Sequence, residues 1–253
     1  MYMTEKRELE MRGKEILEEL EGISGIFTPV NKTFLAGKME KRIRYSHEYN
    51  QESFFKTKIG VVRNSGIYDY ITVIISEKIL NKYLSTKPWK GDMISVAGSF
   101  FSQNKKDNKD KSHLNLFLSA QYIEVMKDEE LLEEMPTTNI IYLDGYICKE
   151  PNLRKTNLSN QYITDLLIAT NRPDGKSDYI PCIVWNDMAK WAKNLKVGEE
   201  VRLYGRIQSR EFFKKFSQKP GYIDIYDAQS IGKGKLKMAY EVSVIKIQRL
   251  SQK

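Results

Sequence analysis

The stretch Asp178-Tyr179-Ile180-Pro181-Cys182-Ile183-Val184-Trp185 alternates in the way that is typical of a strand with two different faces. Ile180, Cys182 and Val184 share one face, which is small and aliphatic and suits the interior of a barrel. The opposite face carries the two aromatic residues at the ends of the stretch. Helical spacing follows at once, at Met188, Trp191, Ala192 and Leu195. The segment therefore predicts a strand that leads directly into a short helix.

Further strand-like runs lie on both sides of this segment, at Ile140–Ile147, Tyr162–Thr170, Val201–Phe213 and Tyr240–Leu250. Turn signals precede the second and third strands, at residues 149–152 and 171–175. The result is five strands with a helix between the third and the fourth. That order is typical of an OB-fold barrel.

The same order of patterns occurs twice in the chain. Residues 31–39 resemble 139–147, residues 69–75 resemble 178–184, and residues 91–98 resemble 198–205, at a spacing of about 108 positions. Three matches in register indicate two copies of one domain. The first copy then has strand-like runs at 34–39, 54–62, 70–76, 93–101 and 116–125, and a helix near 77–84.

We therefore predict a mainly all-β protein with two tandem five-stranded OB-fold barrels and an N-terminal amphipathic helix. The predicted boundaries are a helical segment at 1–27, a divergent first barrel at 28–127, an acidic linker at 128–138 and a second barrel at 139–253. The apolar residues of the N-terminal segment fall near one helical face, so we expect this helix to pack on the first barrel. A helix that binds a partner is the alternative.

The chain has 253 residues and a net charge of +8, with enough apolar residues to form a core. This charge favours an anionic partner, namely nucleic acid, acidic lipid or an acidic protein. Acidic residues concentrate in segments 1–25 and 126–135, which leaves the rest of the chain more basic than its average. These segments are either solvated faces or elements that keep the anion-binding surface elsewhere.

Several functional classes find no support in the sequence. No run approaches the roughly 18 apolar residues of a membrane helix, and no secretory signal is visible. Cys148 and Cys182 are too few for a disulfide scaffold or a four-cysteine zinc site. His47 and His113 have no ligand at metal-site spacing, and no glycine loop suits a phosphate. We expect a cytoplasmic protein that is not an enzyme and needs no cofactor or metal.

Aromatic and basic residues alternate on the outward strand faces of the second copy. Tyr179 and Trp185 on one strand suggest a stacking platform for unpaired bases, although a helix, loop or second subunit could cover them. The outward face of the next strand combines cations with rings, at Arg202, Tyr204, Arg206, Gln208, Arg210 and Phe212. A subunit interface is the alternative for Arg202 and Tyr204. The composition of residues 213–221 indicates a basic hairpin tip, which could fold over a bound single strand of nucleic acid.

The first copy is poorer in such residues. Tyr70 occupies the position of Tyr179, but Ser76 occupies that of Trp185, and the outward face of the fourth strand carries no charge. We therefore expect the first copy to bind more weakly or mainly to support assembly.

The second copy resembles the bacterial single-stranded DNA-binding protein family. The resemblance rests on Asn139-x-x-Tyr142-Leu143-x-Gly145-x-Ile147, Glu150-Pro151-x-x-Arg154-x-Thr156, Leu166-x-Ile168-Ala169-Thr170-Asn171-Arg172, Asp178-Tyr179-Ile180-x-Cys182-x-Val184-Trp185 and Gly198-x-x-Val201-x-Leu203-x-Gly205-Arg206-Ile207-Gln208-Ser209-Arg210. It implies binding of single-stranded DNA with little sequence preference, and stacking by Tyr179, Trp185 and Phe212. The complete predicted site is Tyr70, Arg154, Arg172, Tyr179, Trp185, Arg206, Arg210, Phe212, Lys214, Lys215 and Phe216.

The resemblance also implies a complex of four barrels, which for a chain with two barrels is a homodimer. Such a complex would act on nucleoid DNA in replication, recombination, repair or the transfer of plasmid or phage DNA, with replication proteins as further expected partners. Family members usually end in an acidic tail, whereas this chain ends Gln248-Arg249-Leu250-Ser251-Gln252-Lys253. Two alternatives stay open, an OB-fold module that docks other proteins and a protein of the RNA-binding or initiator type.

Overall fold

The computed structural model describes residues 2–22, 31–106, 112–126, 137–156, 160–215 and 234–250. In chain order the elements are α1 (Tyr2–Gly22), β1 (Asn31–Tyr49), β2 (Glu52–Val62), β3 (Tyr68–Ser76), α2 (Glu77–Tyr83), β4 (Met93–Lys106), β5 (Ser112–Val125), β6 (Thr138–Ile147), β7 (Asn152–Lys155), β8 (Tyr162–Asn171), β9 (Ser177–Trp185), α3 (Asn186–Ala192), β10 (Glu200–Lys215) and β11 (Gly234–Arg249). Most of these residues are in strands, which confirms the predicted all-β class.

The first five strands close into a barrel. β1 pairs with β2, β2 with β3, β4 with β5 and β4 with β1, all antiparallel, and a parallel pairing of β3 with β5 completes the ring. Alternate residues point inward, and Leu35, Ile71 and Val96 are fully buried. The helix α2 lies between the third and fourth strands, where Ser76 Oγ accepts a hydrogen bond from the Ile79 backbone N–H.

The last five long strands close a second barrel in the same order. β6 pairs with β8 and β10, β9 pairs with β8, β10 pairs with β11, and β9 runs parallel to β11. The short β7 adds an edge to β8. The aliphatic face of β9 is inside the barrel, because Ile180, Cys182 and Val184 are at most 1% exposed. The prediction of two OB-fold barrels is confirmed.

A strand pairing joins the two barrels into one continuous sheet. β1 and β6 run antiparallel, from Asn31 opposite Leu143 to Ala36 opposite Thr138. Thr33 pairs with Ile141, the residue at its own position in the second copy, so a local two-fold axis relates the barrels. Two repeat-equivalent asparagines follow this symmetry: Asn31 binds the backbone N–H and C=O of Phe100, and Asn139 binds those of Ile207.

The helix α1 packs on the outside of this sheet. Leu9, Leu17 and Leu20 are buried together with Phe34, Ala36 and Ala97. A Cβ on Gly13 would lie 2.5 Å from the Phe34 ring, so the helix approaches the sheet closely at this point. The helix contacts β1 and β4 of the first barrel, as expected, and it also contacts β6 of the second. The predicted domain boundaries remain a prediction, since residues 23–30 and 127–136 are not among those described.

Candidate nucleic-acid interface

A buried carboxylate from the second barrel holds a strand of the first. Asp178, at the start of β9, accepts hydrogen bonds from Arg172 Nε (2.6 Å) and from the backbone N–H of Ser102 on β4 (2.6 Å). Arg172 Nη2 also donates to the backbone carbonyl of Ser102 (2.8 Å) and to Asp178. The hydrogen bond to Asp178 raises the pKa of Arg172, which keeps its guanidinium charged. The turn before β9 is thereby fixed against the neighbouring barrel.

The first barrel makes the matching contact with the second. Asp69, at the start of β3, accepts from Arg63 Nε (2.8 Å) and Arg63 Nη2 (2.6 Å), and from the backbone N–H of Ser209 on β10 (2.6 Å). Arg206 Nη1 lies 3.4 Å from the same carboxylate. The hydrogen bond to Asp69 raises the pKa of Arg63, whereas burial lowers that of Arg206. Each of these two repeat-equivalent ion pairs lies within one barrel and accepts a hydrogen bond from a backbone N–H of the other, so each holds the barrels together. We call the Arg172–Asp178 pair the first lock and the Arg63–Asp69 pair the second lock.

The first lock borders an open hollow of about 350 Å³, which we call groove A. Tyr179 is 42% exposed here, and its backbone N–H donates to Ser102 Oγ (2.9 Å). The Arg172 guanidinium carbon lies 4.2 Å from the centroid of the Phe101 ring. The lining comes from both barrels: Ser102, Gln103, Asn104 and Phe117 from the first, and Arg172, Lys176, Ser177 and Tyr179 from the second.

The second lock borders an equivalent hollow of about 400 Å³, groove B. The rings of Tyr68 and Tyr70 are nearly parallel, at 13°, with centroids 6.0 Å apart. Arg210 of β10 is exposed in the same hollow. The lining is Arg63, Ile67, Tyr68 and Tyr70 from the first barrel and Gln208, Ser209, Arg210, Met238 and Glu241 from the second. Groove B therefore places tyrosine rings of one barrel beside a cation of the other.

The outer wall of the second barrel carries a further aromatic patch. Trp185 is half-buried at the end of β9, and its indole N–H donates to Ser243 Oγ (3.1 Å). Tyr162 precedes Ile163, the strand partner of Trp185. The ammonium groups of Lys155 and Lys190 lie 4.9 and 5.2 Å from the centroid of the Tyr162 ring. Arg154 is exposed but bound to Asp165 (2.6 Å). This wall therefore offers rings and cations at the surface of the second barrel.

Two outward residues of β10 lie beside α1 rather than in grooves A or B. Arg202 forms an ion pair with Asp144 (2.6 Å), and the Tyr204 ring lies 5.0 Å from that of Tyr142. Lys14, Leu17 and Glu18 of α1 border the hollow that contains Arg202 and Tyr142. Burial raises the pKa of Tyr204. Arg202 and Tyr204 therefore lie beside α1 of the same chain and outside grooves A and B.

The structure divides the predicted residues between two grooves and the outer wall of the second barrel instead of bringing them together in one site. Tyr179 and Arg172 meet in groove A, Tyr70 and Arg210 meet in groove B, and Arg206 joins the second lock. Phe212, Lys214 and Lys215 belong to β10, but their side chains are not among the parts of the chain that the structure describes. Phe216 lies wholly outside the described residues.

Sequence reasoning missed several residues of these surfaces. Tyr68 could have been found, since it shares the outward face of its strand with Tyr70. Phe117 and Lys176 line groove A, but no sequence pattern places them there, because the groove forms only when the two barrels pair.

Two classes of feature are not found in the described ranges. They contain no group of three or more His, Cys, Asp or Glu residues arranged to hold a metal ion. None of the described helices is both long and apolar enough to cross a membrane.

Comparison with known proteins supports the resemblance of the second copy. Residues 138–229 match the model of the single-strand binding protein family, over a segment that runs from β6 into the chain beyond β10. This match confirms the resemblance that the sequence motifs indicate. No curated protein sequence matches the chain.

Two solved structures are similar in fold. The wild-type single-stranded DNA binding protein from Thermus aquaticus has a TM-score of 0.65 and 17% identity, over 88% of this chain and 94% of that one. A deletion mutant of the single-stranded DNA binding protein from Thermus aquaticus gives 0.65 and 16%, over 88% and 96%. At this identity the similarity shows the fold alone. The 88% of this chain that is aligned includes both barrels.

Proposed function

We propose that this chain binds single-stranded DNA with little sequence preference, by stacking bases on aromatic rings and pairing phosphates with arginine and lysine. One observation carries the proposal: each groove lies between the two barrels and places an exposed tyrosine beside arginine or lysine. The family match over the second barrel and the fold of the Thermus aquaticus proteins support it.

The chemistry of the grooves suits a strand of any sequence. Every base has a π-face that can stack on Tyr179 or on the Tyr68–Tyr70 pair, and each stacked base contributes about 1–3 kcal/mol. Lys176 in groove A and Arg210 in groove B can pair with phosphates, which are the same at every nucleotide. Binding by these contacts depends on an unpaired strand rather than on base edges.

The remaining predicted residues have different roles in this proposal. Arg172 is 18% exposed and commits donors to Asp178 and Ser102, so it adds positive charge beside Tyr179 and positions the groove. Trp185 and Arg154 extend the path over the outer wall of the second barrel. Phe212, Lys214, Lys215 and Phe216 complete it on the predicted hairpin tip, and Arg206 supports groove B.

The proposal includes an assembly and a setting. Two chains combine into a complex of four barrels, and this complex protects or organises single-stranded DNA in the cytoplasm. Replication, recombination, repair and the transfer of plasmid or phage DNA all expose such strands, and proteins of these processes are its proposed partners.

The test is the affinity for a fluorescently labelled oligothymidine, measured by anisotropy with Tyr179→Ala. Loss of one stacked base predicts an affinity lower by about 5- to 150-fold. Trp191→Ala is the matched control, because Trp191 is 41% exposed against 42% for Tyr179 and lines neither groove. Competition with RNA and duplex DNA completes the experiment. The proposal fails if the wild-type chain does not bind the oligothymidine, or if Tyr179→Ala binds as tightly as the control.

A further inference from the structure

Grooves A and B occupy equivalent positions in the two repeats, but one cross-strand pair beside them differs in its chemistry. In the first barrel Phe101 of β4 lies opposite Phe117 of β5, and their rings meet edge to face with centroids 6.4 Å apart. In the second barrel Gln208 of β10 lies opposite Glu241 of β11. Each pair follows the register shift of its strand at the same distance, so the two pairs are equivalent. Groove B therefore has an amide and a carboxylate where the first barrel has two phenyl rings.

The Glu241 carboxylate is held at the wall of groove B by its strand partner. Gln208 Nε2 donates a hydrogen bond to Glu241 Oε1 (2.6 Å), and both residues line the groove. Among the described residues, Gln208 is the only hydrogen-bond donor to this carboxylate. A carboxylate offers about four lone-pair sites, so Glu241 retains acceptor capacity for a ligand. It presents that capacity in the same hollow as the rings of Tyr68 and Tyr70.

Contacts with the DNA backbone do not account for a carboxylate at this place. An anion in the groove repels phosphate and so opposes the contact that we propose for Arg210. The two arginines of the second lock, Arg63 and Arg206, are bound to Asp69. They therefore do not require Glu241 as a partner. A negative acceptor beside stacked rings suits a base that donates a hydrogen bond.

The four bases differ in what they offer to such an acceptor. Cytosine, adenine and guanine carry an exocyclic amino group, whereas thymine has a carbonyl oxygen at the position of the amino group of cytosine. A carboxylate only accepts hydrogen bonds, so it binds the amino group and repels the carbonyl oxygen. The lining of groove A contains no carboxylate, and its amides Gln103 and Asn104 can both donate and accept. Groove A therefore suits either kind of base edge.

We propose that Glu241, oriented by Gln208, makes groove B select bases that carry an exocyclic amino group, and thus cytosine over thymine among the pyrimidines. The base stacks on the Tyr68–Tyr70 pair, its amino group donates to the Glu241 carboxylate, and a neighbouring phosphate pairs with Arg210. The inference rests on the proposed function and adds a base preference to one of the two grooves. Groove A contributes binding without this preference.

The test measures the affinity of the full chain for oligodeoxycytidine relative to oligothymidine of equal length, by fluorescence anisotropy. Glu241→Gln removes the negative charge but keeps an oxygen that accepts from Gln208. The new amide suits either pyrimidine, and hydrogen bonds to neutral groups are weaker than those to charged groups. The affinity ratio of cytosine to thymine should therefore fall by about fivefold. The flexibility and self-stacking of each oligomer are the same for both proteins and cancel in this comparison.

Glu19→Gln is the matched control, because it removes one negative charge from an exposed position of α1 that lines neither groove. This variant should keep the affinity ratio of the wild type. A second measurement needs no variant: an oligomer of a pyrimidine analogue that lacks the amino group of cytosine should bind the wild type more weakly than oligodeoxycytidine does. It decides the question even if Glu241→Gln fails to fold.

Two results overturn the base selection while leaving the proposed function in place. One is an equal affinity ratio in Glu241→Gln and Glu19→Gln, and the other is equal affinity of the wild type for the two cytosine-type oligomers. A wild-type chain that binds neither oligodeoxycytidine nor oligothymidine overturns the proposed function and the base selection together.

Discussion

Tyr179 owes its exposure to the alternation of β9 and its position to the neighbouring barrel. Its neighbours Asp178 and Ile180 point inward and are fully buried, so the ring must point outward. The backbone N–H of Tyr179 donates to Ser102 Oγ on β4. A sequence reading predicts the outward direction from the alternating pattern. It does not predict the hydrogen bond, because residues 102 and 179 meet only when the barrels pair.

Breaking a cross-barrel lock should destabilise the whole protein. Asp178→Asn leaves Arg172 without its charged partner at a site where the aspartate side chain is 1% exposed. Removing one partner of a buried ion pair costs about 3–5 kcal/mol. Asp165→Asn is the control, since Asp165 pairs with Arg154 at the surface and should cost about 1 kcal/mol or less. Urea unfolding measures both, and equal losses of free energy of unfolding would refute the lock.

The cysteine thiols should react slowly in the folded protein. Burial raises the pKa of Cys182 and, to a lesser degree, that of Cys148, and a raised pKa lowers the fraction of reactive thiolate at a given pH. A thiol reagent at pH 8 should therefore label the native chain much more slowly than the chain in denaturant, where both thiols react. Rapid native labelling of Cys182 would contradict its burial in the second barrel.

At the scale of elements, the strands that form barrel walls were predictable and those that leave the barrel were not. The prediction for the first strand covered 34–39, yet β1 continues to Tyr49. Beyond the barrel no interior imposes an apolar face, so the alternation fades into polar and charged residues. The prediction gave a turn at residues 149–152 and no strand at β7, for the same reason. The helix near 77–84 was predicted because the first copy repeats the order of the second, and in the structure Ser76 caps it.

The fit of α1 against the sheet should be sensitive to one added methyl group. Gly13→Ala places a Cβ 2.5 Å from the Phe34 ring, so the ring or the helix must shift. Overpacking costs about 1–3 kcal/mol, which outweighs or offsets the roughly 1 kcal/mol that alanine adds to helix propensity. Thermal unfolding should therefore show no stabilisation or a loss, whereas the exposed neighbour Lys14→Ala stays within about 0.5 kcal/mol. A clear gain for Gly13→Ala would contradict the close packing of α1.

At the scale of the whole molecule, the internal repeat predicted two barrels but not how they join. The pairing of β1 with β6 brings together two equivalent strands that are over 100 residues apart in sequence. Local patterns cannot select such a partner, since every antiparallel edge offers the same hydrogen bonds. The composite grooves follow from that pairing, which is why Tyr70 was placed on a weak first copy rather than beside Arg210.

The proposed assembly predicts a mass in solution. Two chains of 29.5 kDa should give a particle of twice that mass by light scattering at micromolar concentration. The measurement belongs with an oligothymidine titration on the same sample, so that assembly and binding are compared directly. A particle of 29.5 kDa that binds DNA fully would reject the four-barrel complex and retain the grooves of the single chain.

Tryptophan fluorescence during a titration with oligothymidine tests base stacking most directly. The account predicts quenching on the wild-type chain and much weaker quenching on Trp185→Phe, which retains a ring but removes the indole of β9. Affinity should fall modestly in that variant, because a phenylalanine ring still stacks. Quenching of equal extent in both proteins would contradict stacking on Trp185, and no quenching with no binding would contradict the function.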